Sequence, residues 1–226
     1  MIITAKKSPS ESAKDYVVRQ LIYNIIHFNL VPGQQLDTAQ LCELFHVSKI
    51  PLREAELELA QTRLLEIRPK VGVFVTYIDT DFIEEIRSLR STLESELATI
   101  ACDLFTREQI DSMWENIALW KMYLERNNEE KVFQLDKEFH KMLYMFCYHP
   151  NWYQLVDNIS PHYDRTIVLS FRCHEMNRIV TDHEELVRAI EAHDKEKAAH
   201  IARLHMTRYI ENLDILKQQF ADYFVK

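Results

Sequence analysis

The sequence contains very little glycine, since Gly33 and Gly72 are the only two among 226 residues. Tight hairpin turns need residues with positive φ, which glycine adopts at no steric cost. So little glycine argues against a protein built of β-hairpins. Because 47% of the residues are hydrophobic, the chain can still bury a sizeable core. The composition therefore favours a mainly α-helical protein.

Cysteine pairs and long apolar runs are also missing. The four cysteines are scattered without a CxxC pair, which is typical of reduced thiols in a cytosolic protein: Cys42, Cys102, Cys147 and Cys173. No apolar run reaches the 18 residues of a transmembrane helix, and the N-terminal MIITAKKSPSES has no apolar stretch long enough for a signal peptide. We expect a soluble, cytoplasmic protein without a membrane partner.

The formal charge of −8 is unevenly distributed along the chain. Residues 1–77 carry nine Lys and Arg against eight Asp and Glu, whereas residues 78–226 carry 18 against 27. Eight of the ten histidines also lie in the second part. This difference predicts two domains, 1–77 and 78–226.

The first part has the element order of a winged helix. Apolar residues recur at helical spacing from 17 to 26, and a second short helix follows Asp37, a plausible N-cap. A third helix begins after the N-cap Ser48 and has Pro51 in its first turn, where the missing N–H is tolerated. The alternating stretch LLEIRPKVGVFVTY then predicts two strands joined at 69–72.

Four basic residues lie where such a domain meets DNA. Lys49 and Arg53 share the outward face at the start of the third helix, the end that enters the major groove in a recognition helix. Arg68 and Lys70 lie on the wing, within reach of the DNA backbone or minor groove. A solvated charged face is the alternative for two cations taken alone, but the order of the surrounding elements favours DNA binding.

The segments LVPGQQL, LCELFHVSKIPLREAE and PKVGVFV resemble the N-terminal domain of GntR-type bacterial transcription regulators, with the spacing kept from about residue 17 to 75. The resemblance implies a DNA site that includes the SKIPLREAE motif with Ser48 and Pro51. It assigns DNA contacts to Lys49 and Arg53 and the wing glycine to Gly72.

Three positions depart from the usual pattern. Lys49 replaces an arginine, so a bidentate guanine contact there becomes a point charge. Glu56 stands where a core leucine is usual, and we expect Leu57 to compensate if the helix rotates slightly. Arg63 occupies the usual glycine after the helix, which costs roughly 1 kcal/mol if its backbone is left-handed. With Glu54 and Glu58 also nearby, we expect modest non-specific DNA affinity.

The second part predicts an all-α antiparallel bundle of roughly six helices. Thr106 and Gln109 form a capping box, and the pair Thr181 and Glu184 predicts another. Pro161 is expected to kink or break the fourth of these helices.

Four residues of this part have the donors of a metal site. Asp136 and His140 are four apart on one helix face, His183 is expected to open the penultimate helix, and His205 lies in the last one. One carboxylate and three imidazoles suit a borderline divalent ion such as Zn²⁺ or Ni²⁺. From these residues alone, histidines of the core or the surface remain the alternative.

The runs LRSTLESELATIA, LDKEFHKML and DHEELVRAIEAHDKEKAAHIARLHM resemble the ligand-binding FCD domain of the FadR branch of GntR regulators, over about residues 86–210. The resemblance implies a divalent metal held by Asp136, His140, His183 and His205, and an effector carboxylate held by Arg90. An ion pair of Arg90 with Glu94 is the alternative. Tyr163 and Arg165 are further candidates for the effector pocket. Four further histidines of this stretch match no ligand position and are expected at the surface or in caps: His162, His174, His193 and His200.

The leading functional hypothesis is a homodimeric, metal-containing transcription regulator that binds operator DNA and a small carboxylate effector. A metal-dependent hydrolase is one alternative, because three nitrogens and a carboxylate can activate water and AHD at 192–194 faintly resembles a His-Asp phosphohydrolase. A helical dimerisation or scaffold module is the other. A hydrolase would turn over phosphoesters or amides, and a scaffold would not bind DNA.

Overall fold

A computed structural model describes residues 2, 4–171 and 177–225. The chain divides into two compact units. The first comprises Met1–Asp81, Asn158–Arg165 and Lys217–Lys226, and the second comprises Phe82–Asp157 and Thr166–Leu216. The predictions for Cys173 and His174 lie outside the described residues.

The first unit contains the predicted winged helix. Its elements are α1 (Ala13–Ile26), α2 (Thr38–Phe45), α3 (Lys49–Gln61), β1 (Leu65–Arg68) and β2 (Gly72–Val75). The two strands are antiparallel, and Leu65 pairs with Val75 while Arg68 pairs with Gly72. The core is formed by the apolar faces of all five elements, including Val17, Leu21, Ile25, Leu41, Leu52, Leu59, Leu65 and Val75. The element order is as predicted.

Of the two N-caps predicted in this unit, one forms the expected hydrogen bonds and the other does not. Asp37 caps α2, because its side chain accepts hydrogen bonds from Ala39 N and Gln40 N. Ser48 has the extended backbone of an N-cap before α3, but its side chain makes no capping bond. Since Pro51 is the third residue of α3 and has no N–H, one of the two amides that a serine cap normally bonds is missing.

The scarcity of glycine shows at the helix ends. The residue that follows the C-cap of a helix often adopts a left-handed backbone. Here non-glycine residues take it up at the C-cap or just after it, with φ of +54° at His46, +62° at Arg63, +51° at Asn127 and +60° at Tyr148. The left-handed backbone on which the predicted cost at Arg63 depends is therefore present.

Two later segments complete the first unit. The end of the chain runs beside Ile78, whose N–H bonds the carbonyl of Tyr223 at 2.8 Å. The ring of Tyr223 also stacks on Phe28, with 5.2 Å between the centroids. The other segment is Asn158–Arg165.

The second part is helical as predicted, with α4 (Thr80–Leu104), α5 (Arg107–Glu125), α6 (Glu129–Phe146), α7 (Pro150–Phe171), α8 (Asn177–Glu191) and α9 (Lys195–Gln219). The short 3₁₀ helix Ala221–Tyr223 follows. The core of the second unit is built around Trp120, Phe139, Leu143 and Tyr144. Within the described ranges, no helix is both long and apolar enough to span a membrane.

Of three local predictions for these helices, one is confirmed and two are wrong. The capping box of Thr106 and Gln109 is confirmed. The one predicted at Thr181 is wrong, because α8 already begins at Asn177, and His183 therefore lies inside this helix rather than at its start. A break at Pro161 is also wrong, since α7 continues through it. Buried residues surround Pro161 in sequence, so packing outweighs the roughly 3 kcal/mol that an interior proline costs.

Candidate functional site

A basic groove lies between the start of α3 and the wing. It has a volume of about 600 Å³, and its lining includes the four predicted cations Lys49, Arg53, Arg68 and Lys70 together with Gly72. All four cationic side chains are exposed. Ser48 is the N-cap of α3, and Pro51 lies in the first turn of this helix. Within the first unit, the fold thus brings together the basic residues that the sequence assigns to DNA.

The wing turn depends on Gly72. Its φ is +153°, and a Cβ added there would lie 2.3 Å from Nε2 of Gln35. That amide donates to the carbonyl of Val71 at 3.0 Å, which ties the turn to the segment before α2. On the strand before the turn, Arg68 pairs with Glu66 at 2.7 Å. A side chain at position 72 would displace Gln35 and loosen the wing.

Glu56 differs from expectation. It is buried, with only 2% of its surface exposed, whereas the Leu57 side chain that was expected to replace it in the core is 47% exposed. Its Oε2 lies 3.2 Å from Nη1 of Arg53. The compensation predicted for Leu57 is therefore wrong, because α3 keeps the register that turns position 56 inward. Sequence reasoning noticed the unusual residue but not its contact with Arg53.

The four predicted metal ligands converge in the second unit. Asp136 and His140 project from α6, His183 from α8 and His205 from α9, and one potential ligand atom of each lies within 4.8 Å of the others. Nε2 of His205 is 3.2 Å from Nε2 of His140 and 3.3 Å from Nε2 of His183. Oδ1 of Asp136 is 3.8 Å from the Nε2 atoms of both His140 and His183.

A buried carboxylate orients His140. Oε2 of Glu94, on α4, lies 2.6 Å from Nδ1 of His140, and its Oε1 accepts from Nε of Arg90 at 2.9 Å. Burial alone would raise the pKa of Glu94, but Arg90 and His140 outweigh it and hold that pKa well below its usual range. Because an ionised carboxylate only accepts hydrogen bonds, Nδ1 of His140 carries a proton, which leaves Nε2 as the ring nitrogen that can coordinate a metal.

A second carboxylate, that of Asp182, approaches His205. Its Oδ2 lies 3.6 Å from Nδ1 of His205, and Arg208 holds it through two bonds of 2.8 Å. Burial would raise the pKa of Asp182, but these partners, Arg208 above all, lower it to about 2. Of the three imidazoles, His140 thus bonds a carboxylate through its Nδ1, as metal-binding histidines commonly do, and His205 has a carboxylate nearby without a hydrogen bond to it.

His183 is held by aromatic packing. Phe139 stacks on its ring at 3.8 Å and an angle of 6°, and the ring of Trp120 lies 4.7 Å away. Burial, followed by the charges of His205, His140 and Arg90, lowers the pKa of His183 well below its ordinary value. Its imidazole is therefore neutral at physiological pH, which is the form that binds metals.

The cluster has the chemistry and dimensions of a divalent metal site. Three imidazole nitrogens and a carboxylate oxygen at this range can direct their lone pairs at one point, which is the arrangement that binds a cation. Zn–N bonds of 2.0–2.1 Å place two tetrahedral nitrogen ligands about 3.3 Å apart, close to the separations found here. The donor set thus fits Zn²⁺ or another borderline ion.

Comparison with known families gives the broader class. The model of the FCD domain matches residues 85–208, more than half of the chain, and the model described as bacterial regulatory proteins, gntR family, matches residues 13–75. The chain belongs to the GntR family. It is a DNA-binding transcription regulator of that family with an FCD domain.

Individual GntR-family relatives align along most of the chain. The HTH-type transcriptional repressor RspR of Escherichia coli K12 is 24% identical and covers 99% of both chains. The galactonate operon transcriptional repressor of the same organism is 26% identical over 83% of this chain and 91% of its own. The solved structure of E. coli McbR/YncC superposes with a TM-score of 0.78 at 22% identity, over 93% of this chain and 99% of the other, and supports the fold.

The candidate effector residues of this GntR-family chain have distinct surroundings. Arg90 is buried and forms the ion pair with Glu94 that was the alternative to effector binding. Arg165, on α7, is fully buried in the first unit, where its Nη1 donates to the carbonyl of Thr76 at 2.8 Å and its Nη2 lies 3.1 Å from Nδ1 of His162. Tyr163 is buried in the same segment.

The histidines outside the cluster also differ from one another. His162 is buried rather than at the surface, and its Nε2 donates to the carbonyl of Thr62, the C-cap of α3, at 2.7 Å. Of the two places expected for His162, the surface or a helix cap, the contact with the C-cap of α3 agrees with the second. His193 and His200 are exposed.

Proposed function

We propose that this GntR-family regulator binds one divalent metal ion and, beside it, a small carboxylate effector that alters its affinity for operator DNA. The convergence of Asp136, His140, His183 and His205 within 4.8 Å carries the proposal. Three helices supply these four ligands, so the ion would tie α6, α8 and α9 together. Zn²⁺ and Ni²⁺ fit the donor set best.

The effector is assigned to the space between the metal and Arg90. A bound cation and a buried guanidinium together compensate the charge of an anion that leaves water. Nε of Arg90 donates to Glu94, so an effector carboxylate would share this guanidinium with Glu94. Contacts of Tyr163 and Arg165 with the effector stay predictions. To contact the effector, Arg165 would have to give up its hydrogen bonds to Thr76 and His162.

DNA recognition is assigned to the basic groove of the first unit. We infer that Lys49 and Arg53 reach guanine edges or phosphates in the major groove and that Arg68 and Lys70 contact the backbone from the wing. A homodimer would present two such surfaces to a short inverted repeat. Effector binding changes DNA affinity only if it favours one arrangement of the two DNA-binding domains over another.

The matched domains and the relatives are regulators of transcription, which favours this function over a hydrolase or a scaffold. The residues around the cluster also have structural partners: Glu94 and Asp182 are each bound to an arginine. Both are therefore positioned to orient the imidazoles rather than to act as a general base on water.

Metal content tests the assignment. Full-length protein is purified without chelator or metal-affinity resin, and bound metal is measured by elemental analysis. His205→Ala should abolish stoichiometric metal, whereas His200→Ala, an exposed histidine on the same helix, should retain it. Equal metal content in the two variants would contradict the site. Native mass spectrometry of the same samples would show any small acid that remains bound.

A further inference from the structure

The DNA groove contains one buried acid among its cations. The charged residues that line it are Lys49, Arg53, Glu56, Arg68 and Lys70. A groove that bound only phosphates would be weakened by an anion, because affinity for the DNA backbone comes from neutralising its negative charge. The presence of Glu56 in this place therefore calls for a function other than general DNA affinity.

Stability of the domain does not account for Glu56 either. Its Oε1 is buried and has no hydrogen-bond partner in the described part of the chain. A buried polar atom without a partner is unfavourable, and a buried ion pair is often less stabilising than apolar packing. A leucine, the residue usual at this position in the family that the sequence resembles, would fill the site without either cost.

The contact with Arg53 gives the carboxylate a role. Glu56 is anchored inside the domain, whereas the Arg53 side chain is 51% exposed, so their bond of 3.2 Å links the core to the DNA-facing surface. Among the described residues, Nη1 is the only atom of Arg53 for which a hydrogen bond is found. A guanidinium carries five N–H donors in a planar fork, and with Nη1 held, the edge formed by Nε and Nη2 remains.

We propose that Glu56 is a positioning residue for sequence recognition: it holds Nη1 of Arg53 so that the Nε and Nη2 edge is presented to a guanine of the operator. Two parallel N–H groups are what the O6 and N7 acceptors of guanine bind. The negative charge of Glu56 at the same time weakens binding to DNA that offers no guanine there. The proposal rests on the proposed role of Arg53 in reading DNA.

The test compares two duplexes and three variants of the full-length protein. One duplex has the sequence that wild type selects from a randomised library, and the other is a scrambled sequence of equal length. Glu56→Leu should bind the scrambled duplex more tightly and lose about tenfold of the preference for the selected one, part of what a bidentate contact provides. Its melting temperature should equal or exceed that of wild type.

Two further variants separate geometry from charge. Glu56→Gln keeps an acceptor for Nη1, so most of the preference should remain. Glu54 is exposed on the same helix, and Glu54→Gln removes the same charge. This control should tighten binding to both duplexes equally and leave the preference unchanged. If Glu54→Gln reduced the preference as much as Glu56→Leu, charge alone would be responsible and the proposal would be overturned.

Other outcomes are equally decisive. If Glu56→Leu keeps the wild-type preference for the selected duplex, the proposal is overturned. It is also overturned if Glu56→Leu and Glu56→Gln both lose this preference and both melt at a lower temperature than wild type. In an Arg53→Lys background, which has no fork to orient, Glu56→Leu should cause no further loss, and a second tenfold loss would also refute it. A wild-type protein without any sequence preference would instead contradict the DNA-reading function itself.

Discussion

Replacement of Glu94 by glutamine should weaken metal binding and destabilise the metal-free protein for separate reasons. Glu94 is buried and accepts from Nδ1 of His140 at 2.6 Å and from Nε of Arg90 at 2.9 Å. Glutamine has nearly the same size and keeps one acceptor oxygen. Its NH₂ group cannot accept from a second donor, so one of the two bonds is lost together with the negative charge.

The magnitudes follow from these two contacts. Loss of the partner that fixes the tautomer of a metal-binding histidine typically costs 10- to 100-fold in affinity, which is about 1.4–2.7 kcal/mol. Loss of the anion of a buried ion pair leaves Arg90 without that carboxylate, and such changes cost about 3–5 kcal/mol. We expect the lower end of that range because the amide oxygen can still accept from one donor.

Competition with a chelator measures metal affinity, and urea unfolding of the metal-free protein measures stability. Glu96→Gln is the matched control, since Glu96 is exposed on the same helix and should change neither quantity. The expected loss of metal affinity in Glu94→Gln is 10- to 100-fold. If the affinity stays within about twofold of wild type, the orienting role of Glu94 is refuted.

Three further predictions concern the first unit. Arg53→Ala should cost about 1–3 kcal/mol on the selected duplex, whereas Lys70→Ala should weaken all duplexes by similar factors and flatten the salt dependence, as binding titrations at several salt concentrations would show. Arg63→Gly should raise the free energy of unfolding by roughly 1 kcal/mol, because φ at this exposed position is +62°, and an unchanged or lower value in urea unfolding would refute the strain. Burial, and then the charge of Arg165, lowers the pKa of His162 to about 4. Between pH 6.5 and 4 the unfolded chain therefore binds a proton that the folded chain does not bind. The free energy of unfolding should decrease by up to roughly 3 kcal/mol as the pH is lowered through this range, and His162→Gln should reduce this pH dependence.

Local sequence rules predicted the order of elements and the part of the candidate metal site that lies on one helix. Helical spacing placed Asp136 and His140 on one face of α6, and alternation placed the wing strands. The convergence of His183 and His205 on that face was implied by family resemblance, because residues 22 apart on different helices have no spacing rule to unite them.

The errors arise where tertiary contacts override a local rule. Pro161 was expected to kink or break α7, but the helix is not broken there, because buried residues around it hold the helix. Thr181 has the spacing of a cap and yet lies inside α8, because the helix begins four residues earlier. Glu56 was expected to leave the core in favour of Leu57, but the rest of the apolar stripe, Leu52, Ala55 and Leu59, fixes the register of α3.

The partners behind the cluster were the hardest to foresee. Glu94 was noticed only as a neighbour of Arg90 at i+4, whereas its bond to His140 joins residues 46 apart. Asp182 carried no local signal, since its partner Arg208 is 26 residues away on the next helix. Contacts of this kind depend on how helices pack rather than on the spacing within one helix.

Operator affinity with and without effector is the most direct test of the proposed regulator. A panel of small mono-, di- and hydroxycarboxylates is first screened by thermal shift on metal-loaded wild type, Arg90→Ala and metal-free protein. A compound that shifts only wild type is then added to an operator titration. We expect it to change operator affinity by about 5- to 150-fold, the usual range of such coupling. A compound that binds at this site and leaves operator affinity unchanged would contradict the account.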